Sequence, residues 1–246
     1  KIGIILSVIG IIWTSGIFLE SNKISEGLTL ESQHAHKIQL NFEGNGVGYY
    51  KIFMPEFLKY KIFVQVLDDD ENIISEKNII IDSKSGYSGA GKNLHKKFKF
   101  KNIYESISAY GVSSHRHIAE IDQQLNKISK NKIKVQFTPH LLPMFRGILS
   151  TIYVNLNKNI SAKKIYECLK KYYKNKYFIK FAKFNTPIGT GDIIHTNFCK
   201  ISVCNDRQKN KAIILSAIDN LIKGGSGQAM QNMNLLCGFK EQMGFK

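Results

Sequence analysis

Arginine is scarce. Only Arg116, Arg146 and Arg207 occur in 246 residues, although the net charge is +16. The positive charge is therefore almost all lysine, scattered singly or in pairs among Asn, Ile and Tyr. Nucleic-acid readers favour the planar arginine fork, so this charge argues against a nucleic-acid interface. The field it makes draws small anions instead. Cysteine is also sparse. Cys168, Cys199, Cys204 and Cys237 form no C-x-x-C pair and no zinc-like spacing. That pattern assigns no metal site and fits a reduced, cytoplasmic protein. Glycine is missing where a nucleotide-binding turn needs it. K-I-G-I-I at the start reads as a first strand, but Leu6 to Gly10 follow it without the required spacing. Charge is absent from Ile2 to Leu19, about the length of a membrane span. No A-x-A-like site follows. The stretch is read as a buried segment in preference to a membrane anchor.

What is present is a globular apolar fraction of 43% and a few concentrated polar groups. In H-R-H, His115 and His117 bracket Arg116, and Ile118, Ile121 and Leu125 then follow at helical spacing. Ser113 or Ser114 can cap that helix. The triplet thus sits where a loop enters a helix, beside free N–H groups and the positive dipole end. Such a place suits an anion and a titrating base. A solvated loop with a core histidine is the plain alternative.

Asn78 to Asp82 reads as a buried strand running into a loop, S-K-S-G-Y-S-G-A-G-K-N, Ser83 to Asn93. Gly86, Gly91 and Lys92 imitate a P-loop, but Asn93 stands where Ser or Thr would hold magnesium. What remains is a loop of N–H groups and small hydroxyls fit to cradle an anion. Arg146, before Gly147, lies at the mouth of the clearest alternating strand, Ile148 to Leu156. Its planar fork suits a carboxylate or phosphate. Gly224, Gly225, Ser226 and Gly227 are expected to open a last helix with Met230, Met233 and Cys237 as its apolar stripe.

Periodicity predicts strands near 135–137, 148–156, 178–184, 198–204 and 212–218, and helices at 118–127, 161–174 and 224–237. An anion-binding cleft is expected to gather His115, His117, Arg146 and the Ser85–Gly91 loop, with the helix opening at Gly224 along its edge.

Five pieces in order resemble the N-acetyl-gamma-glutamyl-phosphate reductases, the arginine-biosynthesis branch of the semialdehyde dehydrogenase family. They are Ser85 to Lys92, Tyr110 to Ile121, Phe137 to Leu149, Thr196 to Cys199 and Asp219 to Asn234. Ala119 replaces a proline common there. The resemblance implies an α+β fold: a glyceraldehyde-3-phosphate-dehydrogenase-like catalytic and dimerisation domain at 78–216. A reduced remnant of an α/β NAD(P)-binding domain would precede it at 1–77, and a helix at 217–246 would return to that domain. It implies NADPH-dependent reduction of N-acetyl-glutamyl 5-phosphate to the semialdehyde, with release of phosphate. His117, or its neighbour His115, would be the general acid/base. Ser85, Gly86, Ser88, Gly89, Gly91, Arg116 and Arg146 would bind substrate. Asn220, Lys223, Gly224 and Gln228 would border NADP. The partners implied are a small anionic substrate and further copies of the chain, as a dimer or tetramer; from the charge pattern and the reading of Ile2 to Leu19, neither nucleic acid nor membrane is expected.

The family's nucleophilic cysteine motif should precede the glycine loop, yet no cysteine occurs before Cys168. Met54 to Phe63 looks like the approach to that motif and then passes directly to V-Q-V-L-D-D-D. A truncated, frame-disturbed or internally deleted copy would look like this. Such a chain is expected to reduce the acyl phosphate poorly. A non-catalytic relative that binds substrate or a partner chain is the alternative.

Overall fold

The computed structural model describes residues 78–90, 102–115, 117–126, 133–157 and 159–245. It also describes one antiparallel pair, β1 (Ile38–Gln39) with β2 (Tyr49–Tyr50). The expectations for Ile2 to Leu19, for the remnant domain apart from that pair, and for Gly91, Lys92 and Arg116 lie outside the described residues. Among the described residues no helix is long and apolar enough to cross a membrane.

One mixed sheet organises the rest. Its strands are β3 (Ile80–Gly86), β4 (Ser108–Ala109), β5 (Gln136–Leu142), β6 (Ile148–Asn155), β7 (Ile179–Phe181), β8 (Cys199–Asn205) and β9 (Lys211–Ile218). They lie in the order β4-β5-β3-β6-β9-β8-β7. β3 runs parallel to β5, and β7 to β8; the other pairs are antiparallel. Helix α1 (His117–Asn126) lies in the crossover from β3 to β5, as parallel strands require. Helix α2 (Ala162–Tyr172) joins β6 to β7, and Ser161 caps it by accepting from the Lys164 N–H at 3.2 Å. Both helices pack on one sheet face. Ile121 and Leu125 of α1 and Ile165 and Leu169 of α2 join Ile81, Phe137, Ile152, Ile201 and Ile214 in a single core. Each such side chain, once fully buried, stabilises the fold by about 1.5–3 kcal/mol. The opposite face carries half-exposed Ile80, Asp82, Lys84, Leu149, Tyr153 and Leu215. There Asp82 meets Lys84 at 2.7 Å and His140 Nδ1 at 3.1 Å.

Four expectations are corrected. The strand expected to stop at Asp82 runs on to Gly86, so Ser83, Ser85 and Gly86 belong to β3 and not to a loop. Buried Ser83 and Ser150 share a hydrogen bond at 2.7 Å, which lets hydroxyls occupy core positions. β5 continues through Pro139 to Leu142, because its outer neighbour β4 is only two residues long and Pro139 still accepts from the Tyr110 N–H at 3.1 Å. β7 is confined to Ile179–Phe181 at the sheet edge. The last helix, α3 (Gly227–Leu236), starts after a π-helical turn at Ile222–Ser226, and Gly225 there has φ −152° and ψ −110°. Its inward face is polar, made of Gln231 and Asn234, while Met233 and Cys237 are exposed.

Candidate functional site

Strand order creates the site. β3 lies between β5 and β6, so the short link Pro143 to Gly147 must cross over the end of β3. It meets the chain there as a further ladder. Gly86 N–H donates to Gly147 O at 2.8 Å, Tyr87 N–H to Met144 O at 2.9 Å and Ser88 N–H to Phe145 O at 3.1 Å. These N–H groups are engaged, so the backbone of Gly86 to Ser88 does not cradle an anion as expected. The crossing is close enough to demand glycine. A Cβ on Gly86 would lie 2.7 Å from Phe145 O, and Gly147 has φ +104°. Ser88 and Gly89 sit in a 3₁₀ turn, Tyr87–Ala90, on the far side of the crossing.

β9 brings the next pair of residues. Its register sets Ile218 beside Ile148, so Asp219 and Asn220 emerge next to Arg146 and Gly147. The Asn220 carboxamide accepts from the Gly147 N–H at 2.6 Å and donates to Ser88 Oγ at 2.9 Å. The Ser88 hydroxyl in turn donates to Phe145 O. Asp219 is wholly buried. Its Oδ2 accepts from Arg146 Nη1 at 2.9 Å and from the His195 N–H at 2.7 Å. Its Oδ1 accepts from the N–H groups of Leu221 and Ile222 at 2.8 and 2.9 Å. Burial alone would raise this carboxyl's pKa. The three backbone N–H groups and Arg146 outweigh it and hold the group below its usual value.

Of the residues expected to border the cofactor, Asn220, Lys223 and Gly224 are engaged within the protein and Gln228 lies at the surface. Asn220 is engaged as described. Lys223 is buried, donates to Gln231 Oε1 at 2.6 Å and lies 5.4 Å over the Phe178 ring. Burial lowers its pKa to about 8, against the pull of Cys199 and Glu241. The Gly224 N–H donates to Asp219 O at 2.8 Å. Gln228 bonds Asn232 within its own helix at 2.9 Å. The buried side chains of Asn220 and Lys223 and the Gly224 N–H are already bonded within the protein, which leaves Gln228 as the member open to solvent. These bonds brace the segment that follows β9. Asn197 Nδ2 adds a donor to Gln231 Oε1 at 3.0 Å, and Gln231 Nε2 donates to Glu241, tying in the chain end.

The histidine pair belongs to an aromatic cluster. His115 packs edge-on against Tyr110, His117 and Phe137 with ring centroids 5.4, 4.8 and 5.3 Å away. The His117 N–H donates to His115 Nδ1 at 3.2 Å, so a histidine ties the first turn of α1, and Ser113 stands at φ +59° outside it. Phe137 pairs with Ile81, whereas Leu142 pairs with Gly86 at the crossing. Tyr110, the other ring against which His115 packs, reaches forward to Leu141, one residue short of the crossing. Tyr110 and Tyr87 both pack on Ile103 and Leu141, which links the histidines to the glycine turn through apolar contact. His117 is buried at 2% exposure, behind the half-buried His115. Thus Ser88, Arg146 and the Gly224 turn come together, and the histidines adjoin them through Tyr110, Leu141 and Tyr87. Ser85 is also buried, its hydroxyl donating to Gly86 O at 3.0 Å.

All four cysteines are free. Cys199 is buried against Ser216, and burial raises its pKa. Cys237, expected in an apolar run, is exposed at the end of α3.

The family model for the semialdehyde dehydrogenase dimerisation domain matches residues 67–220. The chain belongs to the semialdehyde dehydrogenase family. Among curated relatives, an N-acetyl-gamma-glutamyl-phosphate reductase of Thermoanaerobacter pseudethanolicus is 48% identical over 171 residues, 70% of this chain and 50% of the relative. One of Staphylococcus saprophyticus is 43% identical, covering 71% and 51%. A probable chloroplastic one of Arabidopsis thaliana is 44% identical, covering 70% and 43%. The chain spans about half the length of the curated relatives it matches. An aspartate semialdehyde dehydrogenase II from Vibrio cholerae shares the fold with TM-score 0.51 at 18% identity, covering 67% of this chain and 56% of that one. A probable aspartate-semialdehyde dehydrogenase from Pseudomonas aeruginosa does so with TM-score 0.51 at 13% identity, covering 65% and 55%. Within this family fold, Asp219, Asn197 and Gln231 are the polar residues that sequence reasoning missed. The available signal for Asp219 was an acid directly after an apolar strand, with an arginine opening another.

Proposed function

We propose that the protein serves the NADPH-dependent reduction of N-acetyl-glutamyl 5-phosphate to N-acetyl-glutamate 5-semialdehyde with release of phosphate, in arginine biosynthesis. The observation that carries this is the overlap of two facts. The family match over residues 67–220 spans the Ser88–Asn220–Gly147 and Arg146–Asp219 bonds, and relatives 43–48% identical over about 70% of the chain are such reductases. Arg146 supplies the guanidinium for a substrate anion, with Ser88 and Gly89 beside it; Arg116 and Gly91 complete the anion-binding set. The H-R-H pair supplies the general acid/base, with His115 the member nearer solvent. NADP is the proposed cofactor, with the segment Asn220 to Gln228, including Lys223 and Gly224, bordering its nicotinamide and Gln228 the member open to solvent.

The division into a cofactor-domain remnant at 1–77, a catalytic and dimerisation domain at 78–216 and a returning helix at 217–246 belongs to the same proposal. The sheet face opposite α1 and α2, with Ile80, Leu149 and Tyr153, is assigned to a second copy of the chain. Sedimentation of Tyr153→Lys tests it: an unchanged oligomer sinks the assignment. The free thiols suit a reduced, cytoplasmic setting.

Isothermal titration of the purified chain with N-acetyl-glutamate 5-semialdehyde tests the main reading. Saturable binding that Arg146→Ala weakens at least tenfold supports it. No binding, or binding indifferent to Arg146, overturns it.

A further inference from the structure

We propose that Asp219 is a positioning residue for Arg146: it fixes the guanidinium at the crossing over β3 and leaves its other donors directed to an anionic substrate. The argument starts from what Asp219 is bonded to. A carboxylate has two oxygens and room for about four hydrogen bonds. Three acceptances are taken by backbone N–H groups of His195, Leu221 and Ile222, which come from two separate segments. Those bonds orient the carboxylate before any side chain reaches it. Its fourth bond is to Arg146 Nη1 at 2.9 Å. The carboxylate is 0% exposed and the arginine side chain 20% exposed, so solvent competes little for the pair.

The arginine keeps unused capacity. Its Nε lies buried with no hydrogen-bond partner. A guanidinium that served only as a structural tie would pair both edges of its fork. Here one Nη is held by Asp219 and Nε is left over, while Asn220 engages the N–H of the next residue, Gly147. Neighbouring residues of one strand end therefore hold the two sides of the crossing. Asn220 fixes its backbone and Asp219 its charged side chain. Preorganising a cationic fork in this way lowers the ordering cost when an anion binds. This inference rests on the proposed role of Arg146 in substrate binding.

The test uses the full chain labelled with nitrogen-15 and two readouts. Side-chain NMR of Arg146, assigned by its loss in Arg146→Lys, reports guanidinium rotation. The expected result is slow rotation and resolved Nη signals in the wild type, collapsing to fast averaging in Asp219→Asn. A freely rotating Arg146 in the wild type overturns the proposal without any variant. So does an unchanged Arg146 spectrum in folded Asp219→Asn. The second readout is titration with N-acetyl-glutamate 5-semialdehyde in a double-mutant cycle. Asp219→Asn is expected to weaken binding about tenfold alone and less than about twofold in the Arg146→Lys background. Equal losses in both backgrounds mean that Asp219 acts through general stability and overturn the positioning role. If the wild type does not bind the semialdehyde, the functional reading fails, while the NMR arm still decides whether Asp219 holds Arg146.

Discussion

Asn220 and Ser88 are 132 positions apart, yet the Asn220 carboxamide donates to the Ser88 hydroxyl at 2.9 Å. The same carboxamide accepts from Gly147, so one side chain closes the glycine turn onto the β5–β6 crossing. Asn220→Ala removes both bonds and leaves the Gly147 N–H without its acceptor. The expected loss is about 1–3 kcal/mol of stability, since a buried donor left unpaired costs its full desolvation. Urea denaturation measures it. A loss under about 0.5 kcal/mol would mean that water replaces the carboxamide.

Gly227 begins α3 under close contact. A Cβ there would lie 2.4 Å from Asn197 Oδ1 and 2.6 Å from Ile222 Cγ2. Alanine is favoured in a helix by about 1 kcal/mol over glycine, but overpacking costs about 1–3 kcal/mol. Gly227→Ala is therefore expected to destabilise, with the thermal midpoint falling. Gly189→Ala, where nothing lies within 4 Å of the added Cβ, is the control and should shift stability by less than about 0.5 kcal/mol.

Lys223 makes stability depend on alkaline pH. Its pKa is lowered from 10.5 to about 8 by burial. Between those values the unfolded chain holds a proton that the folded chain has released. Stability therefore rises with pH across that window, by roughly 3 kcal/mol in total. Cys199 acts the other way, because burial raises its pKa and the unfolded chain loses that proton first. Denaturation of Cys199→Ala with and without Lys223→Met isolates the lysine. The difference between the two should climb from pH 8 to pH 10.5. A flat difference would show that Lys223 keeps its proton in the fold.

The thiols are expected to react in a fixed order. Exposed Cys237 should label first and buried Cys199 last, its rate limited by opening of the core. With Cys199 in the core and Cys237 at a helix end, the chain is expected to reduce N-acetyl-glutamyl phosphate slowly, on the order of 10⁴-fold or more below an ordinary enzyme. An NADPH oxidation assay measures this. Ordinary turnover, abolished by changing one of the four cysteines, would identify a nucleophile that this geometry does not suggest.

The alternation of Ile148 to Asn155 and Lys211 to Ile218 was legible in sequence because each strand buries one face, and burial is what period two records. Helix α2 was legible for the same reason, with Ser161 marking its start. Arg146 and Asn220 could be singled out by residue type and by resemblance. The extent of β3 could not, because Ser83 and Ser85 look like loop residues until the partner of Ser83, Ser150, is placed opposite it. Nor could the inward face of α3, where Gln231 and Asn234 are buried only because Lys223, Asn197 and the chain end at Glu241 to Met243 meet them. The distance between the histidines and Ser88 depends on the β3–β5 register, a nonlocal pairing. Sequence fixes which groups prefer burial and which local periods they follow. Strand order and register decide which remote groups meet, and so only the tertiary structure could set Asp219 against Arg146.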